Sequence, residues 1–361
     1  MSGTERDYFV PGRTELAGNH TDHQQGRVLA AAIPMGHHAR ARRREDGIIA
    51  VESRSFAPFR VDTRSLEPVP EERGTSAALC RGVAAALKKR GGAVGGFSLT
   101  VESDLRSGAG MSSSAAFAVL VARVLNDFYN GGGIYDRALA RAAQEAENLY
   151  FGKPCGLMDP MACILGGAMY MDFSTGEAAS VRCDFAGMGL TLCLVDTGGR
   201  HDHLSAAYGE IKEDMCAMAA RFGKTHLAQV DPAAFAAMPH VPGAHRQEAR
   251  AAHFFGENAR VPLMRDALLN RDGETYLRLM NESGRSSENL LHNIRCPQGD
   301  DRLEQGLRLA ASILEGRGAW RVHGGGFAGC VQAAVPVSLY EAYRAGMEGA
   351  FGQGACIRLM G

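Results

Sequence analysis

Residues 106–125 read RSGAGMSSSAAFAVLVARVL, and they restrict the fold of this chain more than any other stretch. Gly108 and Gly110 let the backbone turn with its N–H groups exposed. Ser112, Ser113 and Ser114 then open a long apolar helix that needs a core to receive it. A helix start preceded by glycines gathers unpaired N–H donors and the positive end of the helix dipole. Such an end suits a phosphate group, and the serine hydroxyls add hydrogen bonds or a magnesium ligand. A serine cap behind a pliable loop is the plainer reading of the same residues.

The chain is long enough for that core. Its 361 residues suggest two domains. Hydrophobic residues make up 45% and charged residues 22%, as in ordinary globular proteins. A formal net charge of −1 argues against nucleic acid or an anionic membrane as partner. The basic stretch ARARRRED (39–46) ends in two acids and reads as a solvated turn or strand end. Nine cysteines stand singly, with no CxxC pair, and no signal peptide is evident, so a reduced cytoplasmic setting is expected. No apolar run approaches the ~20 residues that span a bilayer.

Both halves mix strands and helices. RDYFVPGRTELAGNHTDH reads as a strand entering a loop, and HHARARR, GIIAVESRSF and GFSLTVESDL as further strands. GTSAALCRGVAAALKKRGG, the serine-led stretch and YDRALARAAQEAENLYFG read as helices, the first two stopped by glycine. GGAMYMDFSTGEAASVRCDF reads as a hairpin with STGE at its tip. LTLCLVDTGG opens a new unit, followed by a helix-rich stretch to about residue 315. A strand, a glycine turn and a strand come next in AWRVHGGGFAGCVQAAVPV, then a helix and a last strand, ACIRLMG. A boundary near residue 186 divides the chain into 1–186 and 187–361.

Three more stretches carry chemistry. GNHTDHQQG (18–26) packs histidines, an aspartate and amides between glycines, enough to hold a metal, a nucleotide or a small polar molecule. AENLYFGKPCGLMDPM places Glu147 and Asp159 twelve residues apart across a Gly-Lys-Pro-Cys-Gly turn. Phosphoryl transfer needs a cation for the phosphates and a carboxylate for the nucleophile's proton, and these two could supply both. Taken alone, a surface glutamate and an Asp-Pro turn explain them equally well. HGGGFAGC (323–330) makes a turn that brings backbone close to a ligand or to other backbone. No GxSxG nucleophile elbow accompanies it. FGKT (222–225) fails as a Walker A loop because Met218 stands where a glycine is required. RHDH and HTDH lack the paired spacing of zinc sites.

Taken together, these stretches resemble the galactokinase branch of the GHMP small-molecule kinases. The family's opening signature, roughly G-R-x-N-L-I-G-E-H-T-D-Y, matches Gly12 to His23. Its phosphate loop, P-x-G-x-G-L-S-S-S-A-A, matches Arg106 to Ala116. Its A-E-H…C-G-I-M-D-Q matches Ala146 to Pro160, and its G-x-G-F-G-G-C matches Gly324 to Cys330. The resemblance implies a two-lobed α+β fold, with an N-terminal α/β ATP-binding lobe, a C-terminal ferredoxin-like α+β lobe and the active site in the cleft between them. It implies an ATP-dependent sugar 1-kinase, expected as a cytoplasmic monomer, with Mg²⁺ and a small sugar as its partners. Asp159 would be the general base on the sugar C1 hydroxyl, and Arg13 would lower its pKa and steady the phosphoryl group. Ser114 and Glu147 would hold Mg²⁺. The stretch Gly108, Ala109, Gly110, Met111, Ser112, Ser113 and Ser114 would cradle ATP, with Gly325 and Gly326 near its phosphates. Asn19, His20, Asp22, Gly156 and Tyr208 would bind the sugar.

Several positions depart from the signature. Asn19 stands in place of a glutamate near the sugar C6, Glu15 in place of an asparagine, and His23 in place of a tyrosine. Asn148 replaces the histidine after the magnesium glutamate, and Arg106 a proline. A glutamate at 19 would repel a C6 carboxylate by about 4 kcal/mol at ~4 Å and an effective dielectric of ~20. An asparagine removes that penalty, and H-x-D-H-Q-x-G also resembles plant galacturonokinases, so galacturonate is an alternative acceptor. No aromatic residue marks an adenine pocket near GTSAALCRGV. A non-catalytic sugar and nucleotide sensor on the same fold, or a kinase for a non-sugar alcohol, are the competing classes.

Overall fold

The computed structural model describes residues 5–54, 56–105, 110–199 and 204–361. They form two compact units, one within Met1–Arg13, Ala32–Ser107 and Met111–Gly166, the other within Thr14–Ala31, Gly108–Gly110 and Gly167–Gly361. Two long strands, β1 (Glu5–Ala17) and β2 (Arg27–Arg44), each supply residues to both units.

The first unit is built on β2 from residue 32 onward, β3 (Ile48–Ser53), β4 (Phe59–Asp62) and β5 (Gly96–Ser103). β5 runs antiparallel to β2 and parallel to β3, and β4 is antiparallel to β3. ARARRRED ends β2 as a strand end, its alternation legible in burial: Ala39 and Ala41 are buried, Arg40 and Arg42 exposed. α1 (Ser76–Lys89) starts at Thr75, whose hydroxyl accepts from the Ala78 amide, and carries Lys88 and Lys89 in its last turn. α2 (Ser113–Tyr129) is buried from Ala115 to Ala122, as its apolar run requires.

Two local features depart from the sequence expectation. α3 (Asp136–Glu145) does not continue smoothly but passes into a π-helical turn, Ala146–Phe151. The Asp-Pro pair does not merely start a turn: it lies in the first turn of α4 (Met158–Leu165). Proline is tolerated there because the first helical N–H groups have no intrahelical acceptor, and the dipole favours an acid.

In the second unit β6 (Ala168–Asp172) and β7 (Glu177–Val181) form the expected hairpin, and β6 pairs with the Arg27–Ala31 end of β2. The rest comprises β8 (Leu190–Asp196), α5 (Ser205–Arg221), the short α6 (Pro232–Ala236), α7 (His245–Leu269), α8 (Gly273–Ser286), α9 (Arg302–Leu314), β9 (Ala319–His323), β10 (Cys330–Pro336), α10 (Tyr340–Phe351) and β11 (Cys356–Met360). The strands lie in the order β11-β8-β10-β9, all pairs antiparallel, which is the ferredoxin-like order. One core packs α9 and α10 on this sheet around Val195, Leu314, Val331 and Met347; a second gathers α5 and α7 around Ile211, Met215 and Phe254. Among the described residues no helix is long and apolar enough to cross a membrane.

Candidate active site

In the first unit β1, the start of α2 and the start of α4 bring Arg13, Ser112 and Asp159 together. Arg13 donates from Nε to Asp159 Oδ1 at 2.6 Å and from Nη2 to Oδ2 at 2.8 Å, a bidentate pair spanning 146 positions of sequence. Ser112 Oγ donates to Asp159 Oδ2 at 2.5 Å. Burial works to raise the Asp159 pKa, but the charge and hydrogen bonds of Arg13, with help from Lys153 and Ser112, overcome it and hold the carboxyl at about 2. Asp159 is therefore ionised throughout the neutral range.

Ser112 takes a left-handed backbone (φ 58°) and gives its hydroxyl to Asp159, so α2 has no side-chain cap. The first amides of the helix are left to other partners. Met111 offers its carbonyl to the Arg13 amide at 3.2 Å, which ties β1 to the start of the loop. Ser113 is taken by His37, whose Nε2 lies 2.9 Å from the Ser113 carbonyl. Ser114 Oγ donates to Glu147 Oε1 at 2.6 Å, and the Glu147 side chain is wholly buried in the π-helical turn. Gly156 lies in the loop that leads from this turn to α4. Gly108 and Ala109 lie outside the described residues, as does the RHDH cluster at 200–203.

The second unit gathers the remaining residues. Asn19 is fully buried. Its Nδ2 donates to the Gly324 carbonyl at 2.6 Å and to Glu15 Oε1 at 3.2 Å, and its Oδ1 accepts from Asn293 Nδ2 at 3.1 Å. His20 contacts the Gly325 carbonyl through Nε2 at 3.0 Å and His23 Nε2 through Nδ1 at 3.3 Å. If His20 donates to that carbonyl, His23 donates to His20, and Gln24 Nε2 donates to His23 Nδ1 at 3.3 Å. One neutral tautomer for each ring satisfies the whole chain. Burial, the leading cause, lowers His20 to about 4, and it lowers His23 as well. Asp22 accepts from the His23 amide at 2.8 Å. Tyr208 donates its hydroxyl to the Gly326 carbonyl at 3.1 Å.

The carbonyls of the glycine turn thus all accept from side chains, while the amides of Gly324, Gly325 and Gly326 donate to none of the described residues. The glycines themselves are required by packing. A Cβ on Gly325 would lie 2.5 Å from the Tyr208 ring, one on Gly326 2.2 Å from the Asn293 carbonyl, and one on Gly110 2.9 Å from His323 Nδ1.

Three residues with central positions escaped the sequence reading. Glu257, fully buried on α7, accepts from the Gly18 amide at 3.0 Å and the Asn19 amide at 3.3 Å. Burial works to raise its pKa, but Arg260, His253, Arg321 and the Gly18 amide hold it at about 2. Arg321, fully buried on β9, pairs with Glu15 Oε1 at 3.2 Å and lies 3.7 Å from Glu257 Oε1. Nothing local marks either residue. The third, Lys153, reaches Glu147 Oε1 at 3.4 Å and Ser114 Oγ at 3.3 Å; its signal was the one basic residue in the turn joining the two acids.

A mixed α+β chain with two sheets and this strand order has the fold of the GHMP small-molecule kinases. Residues 78–167 match the GHMP kinases N terminal domain, and residues 3–43 the galactokinase galactose-binding signature. The crystal structure of Lactococcus lactis galactokinase complexed with galactose superposes with a TM-score of 0.87 at 23% identity, covering 99% of this chain and 93% of that one. Methanococcus jannaschii mevalonate kinase superposes with a TM-score of 0.69 at 15% identity, with 99% of each chain covered. A galactokinase from Streptomyces coelicolor is 31% identical over 348 residues, 95% of this chain and 88% of that protein. One from Clostridium tetani is 27% identical over 350 residues, 95% and 87% respectively. The chain belongs to the galactokinase family, and it is a sugar kinase of the galactokinase type.

Proposed function

We propose that the chain transfers the terminal phosphoryl group of ATP to the anomeric C1 hydroxyl of galactose or a close galacto-configured sugar. The observation that carries this reading is the Arg13–Asp159–Ser112 constellation at the uncapped start of α2. The C1 oxygen forms a bond to the terminal phosphorus, the bond to the bridging oxygen breaks, and ADP leaves. Asp159 accepts the hydroxyl proton. A carboxylate held at about 2 is a weak base, so it orients the hydroxyl first and takes its proton late. That suits a loose transition state, in which the nucleophile bears little new charge. Arg13 keeps Asp159 ionised and stands ready to meet charge on the phosphoryl oxygens.

Mg²⁺ is part of the proposal. Ser114 Oγ and Glu147 Oε1 lie 2.6 Å apart, a hydroxyl and a carboxylate of the hard-oxygen type magnesium prefers, with phosphates and water to complete the shell. When bound there, the ion would neutralise phosphate charge.

His20 and Asp22, with Tyr208, are the residues we assign to the sugar, and Gly156 with them. Galacturonate has in its favour the absence of a glutamate at 19, the H-x-D-H-Q-x-G motif and an Asn19 NH₂ group that could meet a C6 carboxylate. That group is instead spent on Gly324 and Glu15, which leaves galactose as the better supported acceptor. A kinase screen with galactose, galacturonate, N-acetylgalactosamine and glucose tests both. Galactose should be turned over fastest with the phosphate at C1; preferred turnover of galacturonate, or phosphate at another carbon, would overturn the respective assignment.

A further inference from the structure

Lys153 stands on the very pair of oxygens assigned to the metal, and the backbone puts it there. The amides of Gly152 and Lys153 both donate to the Glu147 carbonyl at 2.9 Å, closing the π-helical turn with Gly152 at φ 85°. This folds residue 153 back over residue 147. Glu147 Oε1 is shared by Ser114 and Lys153, and its Oε2 accepts the Cys155 thiol at 3.1 Å. Asn148 pins the same loop, its Oδ1 accepting from the Cys155 amide at 2.7 Å.

Two properties of Lys153 matter. Its side chain is 39% exposed, although the carboxylate beneath it is wholly buried. Its ammonium has three N–H donors, of which Ser114 and Glu147 engage two among the described residues. Among the described residues one N–H donor of the ammonium therefore remains, beside the first turn of α2.

We propose that Lys153 binds the terminal phosphates of the donor nucleotide. Its ammonium rests on Ser114 and Glu147 in the free protein and turns the remaining N–H to a phosphate oxygen when the nucleotide arrives. Because a resident cation already neutralises Glu147, nucleotide binding by this chain depends only weakly on Mg²⁺. This inference rests on the kinase reading above and assigns a residue that reading does not use.

Titration calorimetry of ATP with the full chain tests it, once with Mg²⁺ and once with EDTA. The unmodified chain should bind ATP in EDTA within about tenfold of its affinity in Mg²⁺, one hydrogen bond to a charged group being worth about that much. Lys153→Met should lose about tenfold or more in EDTA and much less in Mg²⁺, and Lys153→Arg should keep the EDTA affinity. Lys153→Gln, which retains a donor but no charge, should behave like the methionine variant; Trp320 fluorescence confirms that each variant is folded. Equal EDTA affinity for the unmodified and methionine chains would overturn the inference. Binding by the unmodified chain in Mg²⁺ alone would overturn it too while leaving the kinase reading intact. No ATP binding in either buffer would remove the kinase reading itself.

Discussion

Glu15 and Asn19 touch one another, and the family signature carries the same two residue types in the opposite order. This makes Asn19→Glu a sharp test of how the signature loop is held. In the structure the Asn19 amide donates to Glu15 and to the Gly324 carbonyl, in a fully buried position. A glutamate there would set a second carboxylate beside Glu15. Two like charges ~4 Å apart cost about 4 kcal/mol at an effective dielectric of ~20. That is a large part of the ~5–15 kcal/mol that holds a folded protein together. The new carboxyl can escape by holding its proton, so its pKa would rise by about 3 units, at ~1.4 kcal/mol per unit. Its folded pKa would then lie near ~7, above its unfolded value of ~4.3, so the penalty is full only above about 7 and fades as pH falls toward ~4. Glu15→Asn alone takes a partner from Arg321 and should cost about 1–3 kcal/mol. The double exchange, Glu15→Asn with Asn19→Glu, restores one acid and one amide. It should be more stable than the sum of the single changes by about 2 kcal/mol or more. Urea unfolding followed by the single tryptophan, Trp320, which adjoins Arg321 on β9, reads this directly. An unchanged midpoint for Asn19→Glu, or strict additivity in the double variant, would refute the account of the loop as a neutralised polar core.

Asp159→Asn keeps the shape of the Arg13 contact but removes the proton acceptor; kcat should fall about 10²–10⁴-fold while ATP affinity changes little, as measured by coupled assay and calorimetry. His20 is held neutral with its pKa lowered to about 4, so its contribution to stability is complete above its unfolded value of ~6.5 and is lost as pH falls from there through about 4. His20→Gln should flatten that part of the urea midpoint–pH curve, and an unaltered slope would remove His20 as its source. Gly326→Ala should unfold far more readily than Gly324→Ala: both have positive φ, but a Cβ at 326 meets the Asn293 carbonyl at 2.2 Å and one at 324 meets nothing. Equal melting temperatures would contradict that packing.

Much of the fold was legible because its causes are local. The alternating burial of β2, the Thr75 cap of α1 and the glycine stops of α1 and α2 follow from residues within a turn of one another. The π-helical turn and α4 were not legible, because Gly152 and Asp159-Pro160 read equally well as an ordinary stop and a turn. The candidate site was legible as chemistry. Gly-Ser before an apolar helix, and an acid on either side of a sharp turn, announce phosphate and proton transfer wherever they lie.

What the amino-acid order determined by itself, then, is the set of short-range elements and the kinds of groups on offer, since helix periodicity, caps and glycine turns depend on neighbours in the chain. Only the tertiary structure decided which charges meet. Asp159 finds Arg13 146 positions away, Glu257 anchors the amides of Gly18 and Asn19, and Arg321 neutralises Glu15 from β9. A buried charge is tolerable only beside its counter-charge, and no local pattern says where folding will bring that partner.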